Sequence, residues 1–118
     1  MSPHLTIYKP QLNSMTSITF RATGIAMTLG VSVGSIALLG ASHDLPHYIE
    51  AIKASGVAPL FKFAVAFPLT YHYIGGLRHI SWDHVVGHTP QQTTKTGKAM
   101  VVASLAISVI ASFIEFEE

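Results

Sequence analysis

The chain has 118 residues, of which 49% are hydrophobic and 11% are charged, and its formal net charge is +1. Soluble domains average about 25% charged residues, and so small a domain needs charge to cover its surface, so the composition favours a membrane protein. The absence of cysteine excludes disulfides, thiol catalysis and iron–sulfur ligation by thiolates, and the near-neutral charge without basic runs gives no case for nucleic acid binding.

The N-terminal region, predicted as an arm over about residues 1–16, leads into the sequence SITFRATG at residues 17–24. Ser17 and Arg21 are four residues apart, so on a helix their side chains share a face. A hydroxyl and a guanidinium at a membrane edge could bind the carbonyl oxygens of a quinone. They could equally anchor the helix at the interface, with the serine as its cap. The residues alone favour the anchor.

Three apolar segments predict three transmembrane helices, over about residues 18–42, 58–82 and 96–115. The first has no Asp, Glu, Lys or Arg over residues 22–42, which is the length needed to cross about 30 Å of hydrocarbon. The second reaches that length if Lys62 snorkels to the interface. Each segment alone could be a core helix of a soluble bundle, but three of them leave too little amphipathic sequence for a soluble surface.

Small residues recur every four positions on the first and third predicted helices. They are Ala26, Gly30 and Gly34 on the first, and Ser104, Ser108 and Ser112 on the third. Such stripes allow helix backbones to approach closely. Glycine and serine are common in membrane helices, however, so the stripes indicate packing and identify no partner.

The second segment ends in a polar cluster, YHYIGGLRHISWDH, at residues 71–84. His72 and His79 are two helical turns apart and so point to the same face, with Gly75 and Gly76 leaving a notch for a flat group between them. A neutral imidazole is a ready ligand of haem iron, and the propionates of such a haem would lie toward Arg78 and His79. A lone membrane histidine is more often a hydrogen-bonded helix contact, so spacing leaves both interpretations open.

The distribution of lysine and arginine predicts the orientation. With three spans, the N-terminal arm and the loop after the second span carry five of these residues, and the opposite side carries Lys53 and Lys62. The N-terminus is therefore expected on the positive side, in cytoplasm or mitochondrial matrix. No secretory or transit segment precedes SPHLTIYKP, so the chain is expected to be a mature one.

Three motifs together resemble the large cytochrome b membrane-anchor subunit of succinate dehydrogenase, complex II of mitochondria. SPHLTIYKP resembles S-P-H-[LI]-[ST]-[IV]-Y, SITFRATG resembles S-I-x-x-R-x-[TS]-G, and HYIGGLRHISWD resembles H-x(3)-G-x-R-H-x(3)-D. The motifs occur in order, and the likeness extends over the whole chain. The opening motif is more similar to the mitochondrial than to the bacterial branch.

The resemblance implies roles for individual residues. His72 matches the axial ligand of haem b, whose other ligand would come from a second, small cytochrome b anchor subunit. Arg78 and His79 match residues near the haem propionates, and Asp83 matches an aspartate expected to pair at the same polar edge. The positions that match the ubiquinone site are Ser17, Ile18 and Arg21.

The resemblance further implies an all-α, single-domain membrane anchor over residues 1–118, in the mitochondrial inner membrane with its N-terminus in the matrix. The anchor would serve succinate:ubiquinone oxidoreductase in the tricarboxylic acid cycle and respiratory electron transport. Flavin and iron–sulfur clusters would belong to the flavoprotein and iron–sulfur subunits. With no flavin fingerprint and no cysteine, this chain is expected to hold no catalytic residue for succinate oxidation.

Two positions depart from the family pattern. Phe20 stands where many relatives have a histidine that can contact a haem propionate, which puts one such contact in doubt. Pro10 stands where mammalian relatives have a tryptophan near the quinone pocket. Two other functions stay open from the sequence: a structural membrane adaptor without haem or quinone, and a stand-alone b-type cytochrome, which would need a second histidine ligand from another chain.

Overall fold

The computed structural model describes residue 7 and residues 9–115, which form four α-helices and no strand. The helices are α1 (Leu12–Leu39), α2 (Leu45–Ala54), α3 (Ala58–Asp83) and α4 (Pro90–Phe113). The all-α prediction is confirmed. Most of the SPHLTIYKP motif, and with it much of the predicted N-terminal arm, lies outside the described residues, as do Glu117 and Glu118.

Helices α1 and α4 begin earlier than hydropathy predicts, because polar capping residues precede their apolar runs. At α4, the Thr89 hydroxyl accepts a hydrogen bond from the Gln92 backbone N–H, and the Gln92 side chain accepts one from the Thr89 N–H, each at 3.3 Å. Pro90 follows at the first helical position, where a missing N–H costs nothing. The helix therefore starts at Pro90, ahead of the start predicted near residue 96.

The loop expected between the first two spans contains the short helix α2. Asp44 is its N-cap, with a side chain that accepts a hydrogen bond from the His47 backbone N–H at 3.4 Å, and Pro46 lies in the first turn. An aspartate followed by proline in the first turn is a sequence signal for a helix start. With ten residues, the stretch is too short to be found by a search for membrane-spanning apolar runs.

By length and composition alone, α1 and α4 are each able to cross a membrane. Helices α2 and α3 pass the same test only as a pair bent by 119°, which would give a third span. The 26 residues of α3 cover about 39 Å at 1.5 Å per residue, so its length is sufficient. Its hydropathy is lowered by the polar cluster in its second half, which contains His72, Arg78 and His79.

The most extensive helix contact joins α3 and α4. The serine stripe of α4 lies in this interface, with Ser104 and Ser108 fully buried and Ser112 nearly so. The Thr70 hydroxyl of α3 lies 2.8 Å from the Ser108 hydroxyl and within reach of the Ser104 carbonyl. Small side chains thus let the helices approach while their hydroxyls form hydrogen bonds across or within the helices.

Helix α1 is packed at one end and open at the other. Its first half contacts α3 and α4 through buried Thr16 and Thr23, whereas residues 28–40 are exposed. A methyl group added at Gly30 or Gly34 would meet no atom within 4 Å. The predicted small-residue stripe of α1 therefore has no neighbour in the described part of this chain.

Replacing Ser108 by leucine should destabilise the α3–α4 interface. The larger side chain would enter a fully buried position and remove the hydrogen bond with Thr70, at a cost of about 1–3 kcal/mol for overpacking alone. The thermal midpoint of the detergent-solubilised protein measures the effect. Ala106→Leu, on the exposed face of the same helix, is the matched control, and equal midpoints for the two variants would contradict this packing.

Candidate functional site

His72 lies between α3 and α1, with its imidazole partly buried against Gly24. A methyl group added to Gly24 would lie 2.8 Å from Cε1 of His72 and 3.3 Å from Nδ1. Such distances are shorter than van der Waals contact, so the glycine is needed for the imidazole to reach the α1 backbone. The last position of the SITFRATG motif thereby has a physical role.

The hydrogen bonds of His72 determine which ring nitrogen carries the proton. Nδ1 lies 3.1 Å from the Phe20 carbonyl oxygen, which can only accept a hydrogen bond. It also lies 3.4 Å from the Thr23 hydroxyl, whose own proton is donated to the Phe20 carbonyl at 2.8 Å. Nδ1–H is therefore the donor in this contact, and Nε2 has no hydrogen-bond partner among the described residues.

The Phe20 ring lies between His72 and His79. It stacks on the His72 ring with centroids 4.2 Å apart and planes 5° from parallel, and its centroid is 4.9 Å from that of His79. Both histidines thus do face the same side of α3, as their spacing predicts. A methyl group on Gly75 would overlap the Phe20 ring, so this aromatic side chain fills the notch predicted there, whereas the space over Gly76 is open.

Arg78 is directed toward α4. Its Nε–H donates to the Thr96 hydroxyl at 3.0 Å and one Nη–H donates to the Thr93 carbonyl at 2.7 Å. The guanidinium carbon also lies 4.2 Å from the centroid of the Trp82 ring, in cation–π geometry. A guanidinium has five N–H donors, so Arg78 still has donors without a partner among the described residues.

The three positions matched to a quinone site lie in different surroundings. Ser17 lines a cavity of about 50 Å³ that is also bounded by Phe20, Arg78 and Trp82. Arg21 is exposed one turn further along α1, and no hydrogen bond or ion pair joins it to the described residues. Ile18 is 57% exposed. The structure therefore groups Ser17 with the end of α3 and leaves the Arg21 guanidinium available.

The chain matches the family model for the succinate dehydrogenase/fumarate reductase transmembrane subunit over residues 1–111. It is 43% identical to the mitochondrial succinate dehydrogenase cytochrome b560 subunit of Dictyostelium discoideum over 98% of this chain and 62% of that protein. It is 35% identical to the Sus scrofa b560 subunit, over 92% of this chain and 67% of that protein. It is also 35% identical to the cytochrome b556 subunit of Rickettsia conorii, over 92% of this chain and 86% of that protein.

The chain belongs to this family. The resemblance inferred from the three motifs is confirmed, and two of those motifs lie at the α1–α3 crossing just described. The chain spans 62% of the length of the Dictyostelium relative. Within the described residues no group of three or more His, Asp or Glu could hold a metal ion, so His72 is a single candidate ligand and no part of a protein-only metal cluster.

Three residues important to the geometry were not identified from the sequence. Trp82 contacts both Arg78 and His79, and Thr23 and Thr93 bond to His72 and Arg78 respectively. Thr23 and Trp82 lie within the family motifs, so the sequence did mark these positions, but the motifs alone did not indicate what the two side chains contact. Asp83, expected to form a pair, has no salt-bridge partner within residues 9–115.

Gly24→Ala should disturb the α1–α3 crossing, because the added methyl group would force His72 away from the α1 backbone. We expect a loss of about 1–3 kcal/mol of stability, as for other overpacked sites, measured as a lower thermal midpoint. Gly30→Ala makes the same change on the same helix where nothing lies within 4 Å. A Gly24→Ala protein as stable as Gly30→Ala would show that the close contact is unimportant.

Proposed function

We propose that this chain is the membrane-anchoring cytochrome b subunit of a succinate:ubiquinone oxidoreductase, and that His72 is an axial ligand of its haem b. The observation that carries the proposal is the state of the His72 ring. Its Nδ1–H is held by the Phe20 carbonyl, and its Nε2 has no hydrogen-bond partner among the described residues. That is the arrangement a histidine needs to bind a metal. Family membership supports the same role.

The residues around His72 fit a haem. The imidazole lies within the apolar length of α3, and the haem itself would supply four of the nitrogen ligands that this chain lacks. Haem b carries one electron at a time when bound. His72 would hold it from one side, and a histidine of a second, small anchor subunit would complete the ligation.

The charged edge of a haem would be bound by Arg78 and His79. Phe20 has no hydrogen-bond donor in its side chain, so it cannot replace the histidine of many relatives there. Arg78 retains N–H donors beyond those given to Thr93 and Thr96, and guanidinium is suited to carboxylates because it stays charged and binds them in a fork. The propionate contacts would therefore depend on Arg78 more than in a chain with that histidine.

The quinone would bind near Ser17, Ile18 and Arg21. Ser17 can donate a hydrogen bond to a quinone oxygen, and Arg21 offers an exposed fixed charge with no partner among the described residues. As a quinone is reduced, negative charge grows on its oxygens. A guanidinium stabilises that charged form more than the neutral quinone. The site would therefore favour reduction as well as binding.

The partners follow from what this chain lacks. It has no cysteine for iron–sulfur ligation, so a flavoprotein subunit and an iron–sulfur subunit would oxidise succinate and deliver the electrons. The open half of α1 and the second haem ligand both favour a small cytochrome b anchor subunit beside it. We place the chain in the mitochondrial inner membrane with its N-terminus in the matrix, as the lysine and arginine distribution and the names of its relatives suggest.

A structural adaptor without haem or quinone is the second candidate, and one variant separates it from the proposal. His72→Ala should remove the axial ligand and lower haem content per complex, while quinone reduction can persist if electrons pass directly from the iron–sulfur subunit. The visible spectrum of the purified complex measures this. His84→Ala, at the exposed end of α3, should keep the b-type absorption. An unchanged spectrum in His72→Ala would require another ligand.

Substitutions at Ser17 and Arg21 test the quinone site. Ser17→Ala should weaken quinone binding by about 1 kcal/mol, a few-fold, because one neutral hydrogen bond is lost. Arg21→Ala should cost more because it removes a charge-assisted partner. Quinone reduction and the succinate-driven reduction of a soluble dye are measured together, with Ser32→Ala on the exposed half of α1 as the control. If dye reduction fell as far as quinone reduction, the residues would be holding the complex together instead.

A further inference from the structure

We propose that Phe20 is the positioning residue for the haem ligand: its carbonyl holds the Nδ1 edge of His72 and its ring holds the flat face. This inference rests on the proposed function, since it concerns how His72 presents Nε2 to a haem. Two contacts from one residue of α1 act on two different directions of the same imidazole. Together they leave the ring little freedom to rotate.

The carbonyl contact sets the position of the ring edge. Because Phe20 O accepts from Nδ1–H at 3.1 Å, rotation of the imidazole about its long axis would break this bond. Thr23 reinforces it: the hydroxyl is buried, donates to the same carbonyl, and lies 3.4 Å from Nδ1. A hydrogen bond to the distal N–H of a ligating histidine fixes both its tautomer and its orientation.

The ring contact sets the plane. The Phe20 and His72 rings are 5° from parallel at 4.2 Å, so tilting of the imidazole toward that side is blocked by a flat neighbour. The Phe20 ring is itself fixed, because it occupies the space over Gly75 and contacts His79 on the other side. A leucine or methionine at position 20 would keep the carbonyl and the apolar character but would lose the parallel surface.

The matching experiment compares substitutions of Phe20 in the assembled, haem-loaded complex. In Phe20→Leu we expect haem to remain bound through His72, but with a wider range of imidazole orientations. The largest g value of the oxidised low-spin haem depends on the angle between its two axial ligand planes, so its electron paramagnetic resonance line should shift and broaden. Loss of haem to a scavenging apoprotein should become several-fold faster, because the ligand is less well held.

Two further variants separate the parallel ring from simple bulk. Phe20→Tyr keeps the aromatic ring, so the resonance line and the haem loss rate should stay at their original values. Phe20→Met has no ring and should behave as Phe20→Leu, and it serves as the test if the leucine variant fails to assemble. Phe67→Leu removes a stacked aromatic side chain of α3 that contacts Phe63 and Tyr71, and should change neither measurement.

The outcomes separate the positioning role of Phe20 from the ligand role of His72. If Phe20→Leu and Phe20→Met left the line and the haem loss rate unchanged while His72→Ala lost its haem, the ligand assignment would stand and the positioning role of Phe20 would be rejected. An equal change in Phe67→Leu would also reject it, since the effect would then be general to α3. If His72→Ala kept its haem and spectrum, the assignment of His72 as haem ligand in the proposed function would fail, whatever the Phe20 variants showed.

Discussion

The close crossing of α1 and α3 is the constraint on which the rest of this structure depends. It is possible because two residues, one on each helix, have no Cβ: Gly24 leaves room for the His72 ring, and Gly75 leaves room for the Phe20 ring. The His72 ring of α3 contacts α1 at Gly24, the Phe20 ring of α1 contacts α3 at Gly75, and the two rings stack on each other. A contact of this kind cannot be loosened at one position alone, because moving either ring displaces the other. It therefore fixes the relative position of the helices and, with it, the atom that His72 presents.

Among the described residues, no buried side-chain nitrogen or oxygen is without a hydrogen-bond partner. Ser104, Ser108 and Thr70 form hydrogen bonds across and along α3 and α4, as the cost of an unpaired polar group in hydrocarbon requires. At the C-terminal end of α4, the Lys62 ammonium donates a hydrogen bond to the Ile114 carbonyl at 2.8 Å. The last carbonyls of a helix have no N–H partner within the helix, and a cation there is favourable. Nε2 of His72, by contrast, has no hydrogen-bond partner among the described residues, whereas Nδ1 of the same ring is held by the Phe20 carbonyl.

The sequence predicted the features that are local to one helix, and it did not predict the side-chain contacts between two helices. Hydropathy located the apolar runs, and helical periodicity placed His72 and His79 on one face, because both properties are local. Periodicity does not say which side chain of another helix will fill the gap between them, and so the notch over Gly75 looked open to a ligand when Phe20 occupies it. Arg78 was placed at the correct end of α3, but its direction toward Thr93 and Thr96 depends on α4 starting at Pro90, ahead of its apolar run. The short helix α2 was missed because its ten residues are too few to form an apolar run of spanning length, although its cap was visible in the sequence.

Phe20 also contacts both His72 and the cavity at the polar end of α3. One side of its ring covers His72, and the ring lines the cavity formed with Ser17, Arg78 and Trp82, to which His72 does not contribute. The apolar Phe20 side chain therefore contacts both His72 and the cavity beside Ser17, where a histidine would offer charge and hydrogen bonds instead. Charge that develops near Ser17 would then reach His72 across an aromatic ring and without a hydrogen-bonded chain. In this chain, haem ligation and quinone binding would accordingly be coupled chiefly by electrostatics and by the shared Arg78. A substitution that disrupts one of the two sites could therefore leave the other intact.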